Sequence, residues 1–275
     1  MTRSLTEGDP FKLIISFSIP LLISNLFQQL YNMIDTIVVG QCVGINAMAA
    51  VGVSGSLTFL MTGCIMGLCP GLAIPVSQEY GAQNYNAMRR YVTNSLYVGM
   101  IISAIMTVFS CAGARLFLEW MSTPADIIDD AWNYCIYLFA AIPITFLYNY
   151  LSSIMTALGD SKTPLYFLIL SSVLNIPLNL FFVIVVHAGT AGVSIATVIA
   201  QLISGVLCYI YMKKRFPILQ LSRSDWEWST PHVKKLLYIG IPMALQNSIT
   251  AIGSAILQTA VNTLGSTYVA AVSPP

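Results

Sequence analysis

The chain has 275 residues, of which 56% are hydrophobic and only 8% charged, with a formal net charge of +1 and a mean hydropathy of +0.76. Soluble domains do not show that balance, so a water-soluble globule is excluded and an all-α polytopic membrane protein is expected. The six cysteines (Cys42, Cys64, Cys69, Cys111, Cys135 and Cys208) are scattered, without the spacing of a metal site, and read as small packing residues.

At about 20 residues per crossing, spans are predicted at 11–39, 47–77, 92–117, 130–157, 164–187, 190–212 and 236–264. The polar, acidic start and the length of the first apolar run argue against a cleaved signal peptide, so the first helix is expected to stay in the mature chain. Eleven of the twelve basic residues fall on one side: Arg3, Lys12, Arg89, Arg90, Lys162, Lys213, Lys214, Arg215, Arg223, Lys234 and Lys235, against Arg115 on the other. The positive-inside rule then puts the N-terminus in the cytoplasm.

Span one carries Pro20, Asn25 and a lone carboxylate, Asp35. An ionised Asp near a helix centre costs roughly 2.5 to 3.5 kcal/mol on insertion scales, so such residues face a cavity or a partner. Pro20 removes a backbone hydrogen bond and is expected to bend the helix. Span two sets Gly63, Gly67 and Gly71 four apart on one face, the pattern of close helix packing. The loop after span three holds Glu119, Asp126, Asp129 and Asp130, which are solvated and poor candidates for intramembrane chemistry. Gly159, Asp160 and Pro164 after span four are ordinary turn and helix-start residues.

Span five places Asn175 and Asn179 on one helix face, and span six does the same with Thr197 and Gln201. At 1.5 Å per residue, Asp35, Asn179 and Thr197 lie roughly 7, 12 and 11 Å from the same membrane surface, a shared level that permits one polar cluster. The linker 213–235 breaks the apolar pattern with charge, two prolines, and Trp226 and Trp228 at the headgroup level. Span seven then repeats span one: Ile19-Pro20 matches Ile241-Pro242, and Asn25 matches Asn247, at an offset of 222 residues. Gly44 with Ala49, Ala50 and Val51 likewise matches Gly265 with Ala270, Ala271 and Val272 at an offset of 221. A repeat beginning after six spans implies two parallel six-helix halves. The expected organisation is a six-helix lobe over 1–212, a cytoplasmic linker over 213–235 and the start of a second lobe over 236–275. The chain is expected to be truncated there and to transport little alone.

The stretches Ile19 to Gly40, Gln78 to Asn84, Ala157 to Pro164, Leu174 to Val185, Ala188 to Gln201 and Gly240 to Ile249 together resemble the multidrug and toxin extrusion (MATE) transporters. The likeness is strongest to their bacterial DinF-like and MepA-like branches. It implies twelve helices in two lobes around a central cavity, with Na+ or H+ entry driving export of cationic or amphipathic drugs. It implies a first-lobe cation site of Asp35, Asn175, Asn179 and Thr197, with Tyr31 one turn before Asp35 and Pro20 as the bending proline. Tyr31, Gln201 and Gln246 are candidates for the substrate cavity. Two departures stand out: Asn179 occupies a position where many relatives carry Asp, and span seven has Gln246 and Thr250 but no Glu of the NorM-like kind.

Burial disfavours the charged form of a carboxyl, so Asp35 can hold a proton when dry and release it when water enters. Alternatively, its oxygens with amide and hydroxyl oxygens suit a small hard cation. One carboxylate neutralises one monovalent ion, so one proton or one Na+ per cycle is expected, with no cofactor and no resident metal. Membrane lipid and small drugs are the expected partners, and nucleic acid is not. An aspartyl or metal-dependent intramembrane enzyme would need an acid pair or a His cluster; Asp35 is the lone carboxylate within a span and His187 and His232 stand apart, so no enzyme is expected. A lipid-linked oligosaccharide flippase is the alternative, disfavoured because that class wants a basic cavity and these spans carry no Lys or Arg away from their ends, where Lys12 and Arg115 lie. The expected location is the bacterial inner membrane.

Overall fold

A computed structural model describes residues 9–264 and 268–269. Arg3, and the Gly265 and 270–272 part of the internal repeat, lie outside the described residues. The elements are α1 (Pro10–Cys42), α2 (Ile45–Gly81), α3 (Tyr85–Trp120), α4 (Ile128–Ala140), α5 (Ile142–Ala157), α6 (Lys162–Leu180), α7 (Gly189–Arg215) and α8 (Thr230–Asn262). No strand occurs among the described residues. Six of the helical segments are long and apolar enough to cross a membrane, and the pair α4 and α5 makes a seventh crossing if it is one span.

Local chemistry starts these helices where the sequence signals it. The Asp9 carboxylate accepts from the Phe11 amide at 3.0 Å with Pro10 in the first turn, the side-chain cap that an unsatisfied helix start needs. Asn84 caps α3 through the Ala87 amide. Asp160 accepts from the Lys162 and Thr163 amides at the start of α6, and Gly159 supplies the left-handed residue of the turn with φ 87°.

The expected continuous span over 130–157 is instead broken: α4 and α5 meet at Ala141 with a bend of 53°. Pro143 lies in the first turn of α5. It cannot donate to the residue four before it, so the helix restarts, and the Ile144 and Thr145 amides both close onto the Ala141 carbonyl. Span five also ends differently from expectation, because α6 passes after Leu180 into a π-helical turn over Phe181–Val185. Through Pro20, by contrast, α1 continues as one helix, and the Ser24 hydroxyl donates to the Pro20 carbonyl at 2.9 Å.

The centre of the bundle is α2, which packs on α3, α4, α5 and α8. Leu57, Ile65, Leu68 and Leu72 meet Phe139, Phe146, Ile154 and Met155 in the main core. The most extensive helix pairing is between α2 and α8, and the glycine face explains it. A Cβ on Gly67 would run into the Met243 carbonyl, and one on Gly71 would stand 2.7 Å from the Gly240 Cα. Backbones approach that closely only where side chains are missing. Helix α1 is peripheral and leans mainly on α6, which is what brings Asp35 to the asparagines of α6.

Candidate cation site

Tyr31 and Asp35 lie one turn apart on α1, Asn175 and Asn179 one turn apart on α6, and Thr197 faces them from α7. Asp35 is 5% exposed and Asn179 fully buried. The Asn179 amide donates to Asp35 Oδ1 at 2.5 Å and to Asn175 Oδ1 at 2.8 Å. The Asn175 amide donates to Thr197 Oγ1 at 3.2 Å, and Tyr31 Oη donates to the same oxygen at 3.1 Å. Holding two incoming donors, the Thr197 hydroxyl directs its own proton to Asp35 Oδ2 at 3.5 Å.

Every bond in this ring therefore runs toward the carboxylate. Asp35 forms no ion pair within the described residues, so its surroundings solvate the charge with neutral dipoles alone. One oxygen is left over. Asn179 Oδ1 is buried without a hydrogen-bond partner, and an acceptor left so costs about 1–3 kcal/mol. A group with a free acceptor beside a lone carboxylate suits a proton or a cation that can take oxygen ligands. Among the described residues no cluster of three His, Cys, Asp or Glu could hold a metal.

The remaining sequence candidates fall elsewhere. Gln201 Oε1 accepts from the Thr145 hydroxyl at 2.9 Å and ties α7 to α5, one turn from Thr197 but outside the ring. Gln246 lies exposed on α8, and Pro20 is buried in α1. The sequence reading did not single out Tyr134 of α4. It packs against Val39, Val183 and Val193 beside the ring and lies in electrostatic range of Asp35. As one tyrosine of 14 in an apolar run, it gave no signal of its own.

A family profile described as MatE matches residues 20–181. The chain belongs to the MatE family. The matched stretch includes Pro20, Tyr31, Asp35, Asn175 and Asn179 and stops short of Thr197. Among MatE relatives, the probable multidrug resistance protein YpnP of Bacillus subtilis (strain 168) is 31% identical over 265 residues, covering 94% of this chain and 58% of the relative. The probable multidrug resistance protein YoeA of the same organism is 28% identical over 278 residues, covering 98% and 60%. The chain thus spans a little under two thirds of the length of these curated relatives. Among solved structures, an outward-facing multidrug resistance MATE family transporter of the MOP superfamily superposes with a TM-score of 0.84 at 24% identity, covering 94% of this chain and 58% of that one. A MOP superfamily transporter from Pyrococcus furiosus Vc1 gives 0.82 at 25% identity, covering 89% and 54%. The fold is that of the MATE transporters, and the chain is a multi-pass membrane protein of that family.

Proposed function

We propose that this sequence forms the ion-coupling part of a secondary multidrug antiporter, in which Asp35 binds one H+ or one Na+ whose entry drives export of cationic or amphipathic compounds. The observation that carries the reading is the closed ring around Asp35: four neutral polar side chains, one buried carboxylate, no cationic side chain and one orphaned acceptor. In this reading Asn175, Asn179 and Thr197 are the further ligands, and Tyr31 orients Thr197.

The ring supplies a coupling logic. An ion-loaded Asp35 is neutral and tolerates a dry, closed site, whereas the empty carboxylate demands water. Ion occupancy therefore stabilises one conformation over the other by its difference in affinity for the two. The relatives' description as multidrug resistance proteins supports drug substrates, and Gln201 and Gln246 remain candidates for contacting them. The distribution of basic residues supports a cytoplasmic N-terminus in a bacterial inner membrane. We assign residues 1–212 to a first lobe, 213–235 to a cytoplasmic linker and 236–275 to the start of a second repeat, because α8 follows the pattern of α1 at Pro242 and Asn247.

The test is drug uptake into liposomes carrying a protein of the relatives' full length that contains this sequence, energised by either a pH or a Na+ gradient. One gradient should drive transport, and Asp35→Asn should abolish it without preventing membrane insertion. Unchanged gradient-driven transport in that variant would move the coupling site away from Asp35.

A further inference from the structure

The linker is built rather than slack. Its residues Arg223–Trp226 form a short 3₁₀ turn laid against α3, with Asp225 as the keystone. The Asp225 carboxylate accepts from the Ser222 amide and hydroxyl, both at 2.8 Å, and from Arg89 Nε at 3.2 Å. Thr93 donates to the Asp225 carbonyl. Asn94 receives the Ser229 amide at 2.9 Å and donates to the Glu227 carbonyl at 3.2 Å. This clasp turns two large aromatic side chains outward: Trp226 and Trp228 are 40% and 54% exposed, and both rings pack on Tyr97.

The level of that aromatic group follows from α3 itself. Tyr97, Ile101, Ile105, Val108, Leu116 and Trp120 recur at helical spacing along one face, and from Ile101 onward all are exposed. From Tyr97 to Trp120 is 23 residues, about 34 Å of helix, close to the ~30 Å hydrocarbon thickness of a bilayer. An exposed apolar stripe bounded by aromatics at both ends marks the two interfaces of a membrane. Tyr97, Trp226 and Trp228 therefore sit at headgroup level.

Charge says which headgroups. In a 3₁₀ turn side chains three apart eclipse, so Arg223 and Trp226 leave the turn on the same side. Arg223 is exposed and forms no ion pair within the described residues. Arg90 is exposed on α3, and its contact with Glu227 at the end of the turn is long, at 3.9 Å, and open to solvent on both sides. Lys213, Lys214 and Arg215 end α7 at the same linker. At the opposite end of α3 the balance reverses: Glu119, Asp126, Asp129 and Asp130 stand against Arg115, which Glu119 and Asp129 hold.

We propose that the clasped linker is a binding surface for anionic phospholipid, with Trp226, Trp228 and Tyr97 setting the depth and Arg223 with Arg90 engaging the headgroup phosphate. The surface is distinct from the Asp35 ring and does not depend on it.

The experiment uses the chain with Trp120→Phe and Trp132→Phe, leaving Trp226 and Trp228 as reporters, in phosphatidylcholine vesicles. A minor fraction of the lipid is brominated in the upper acyl chain and carries either a phosphatidylglycerol or a phosphatidylcholine headgroup. Both lipids should quench the tryptophans, the anionic one more deeply at equal fraction. Each arginine near an anionic surface contributes roughly a five-fold preference. Arg223→Gln should therefore remove most of the anionic excess while leaving quenching by phosphatidylcholine intact, and added salt should shrink it. Equal quenching by the two lipids, or an excess that survives Arg223→Gln and Arg90→Gln together, overturns the proposal. So does a fluorescence change in detergent on adding inorganic phosphate, which would mark a site for soluble anions instead.

Discussion

Asp35 and Asp225 are equally hidden, each 5% exposed, yet they sit in opposite kinds of site. Asp225 has a guanidinium at 3.2 Å and a backbone amide and a hydroxyl at 2.8 Å; its valence is full. Covering it would by itself raise its carboxyl, but the Ser222 bonds and the Arg89 charge outweigh that, and the group sits below its ordinary value of 3.8. Asp35 has two neutral donors and, next to it, an acceptor with nothing to accept. Burial alone therefore does not mark a functional acid. What separates the two is whether the protein supplies the counter-charge or leaves it to come from outside.

The largest expected effect comes from adding a second carboxylate to the side that has no cation. Asn179→Asp replaces the strongest neutral donor to Asp35 with a like charge, and should destabilise the purified chain by about 3 kcal/mol in Na+-free neutral buffer, the scale of an uncompensated buried charge. Added Na+ or acid should return most of that loss in thermal melting. If neither does, the ring does not hold cations.

Next is a pair of substitutions of the same chemistry with opposite outcomes. Asp225→Asn removes the charged partner of Arg89 and should cost about 1.5–3 kcal/mol, the range for a hydrogen bond to a charged group. Asp35→Asn removes a buried charge that no side chain compensates and should leave the melting temperature unchanged or raise it. It should also erase any stabilisation by Na+, which for a site at a hundred times its Kd amounts to about 2.7 kcal/mol; Asp225→Asn should keep that response. Two melting curves that move in the same direction would dissolve the comparison.

Acid sharpens it further. Because the Asp225 carboxyl is depressed in the fold, its contribution is complete above the ordinary value of 3.8 and is lost as pH falls through the lower folded value. The gap in melting temperature between the parent and Asp225→Asn should therefore be flat above about pH 5 and close progressively below pH 4. A gap that persists at the most acidic point would mean that shape rather than charge holds the clasp.

The two aspartates also differ in how far the sequence revealed them. Asp35 stands out because a carboxylate in an apolar run is costly; a shared depth permits a cluster with Asn179 and Thr197, and the resemblance to the MATE transporters completes the set with Asn175. Helix geometry carries that inference because each ring residue lies within an unbroken stretch of α1, α6 or α7. Asp225 lies in a charged linker where an acid is unremarkable, and its partners Arg89 and Thr93 come from a helix more than 130 positions earlier. The glycine face of α2 announced close packing without naming α8 as the helix it receives. The bend at Ala141 was missed because hydrophobicity runs evenly across it, although Pro143 supplies the break. Periodicity reports which face is apolar; it does not report where an axis turns or which distant segment fills a surface.

The smallest effect concerns Thr197, whose bond to Asp35 is the longest in the ring at 3.5 Å. Thr197→Val keeps the volume but removes the hydroxyl on which Tyr31 and Asn175 converge, leaving two donors without an acceptor. Because those bonds are already long and Tyr31 is only part-buried, the loss should be about 1 kcal/mol, while Thr197→Ser, which keeps the oxygen, should recover most of the polar part. The informative reading is the Na+ dependence of melting rather than the stability itself. If Thr197 is an ion ligand, Thr197→Val weakens the Na+ response and Thr197→Ser retains it. If both variants respond like the parent, the hydroxyl only spaces α7 from α1, and the ligand set contracts to the oxygens of Asp35, Asn175 and Asn179, placing the coupling site wholly between α1 and α6.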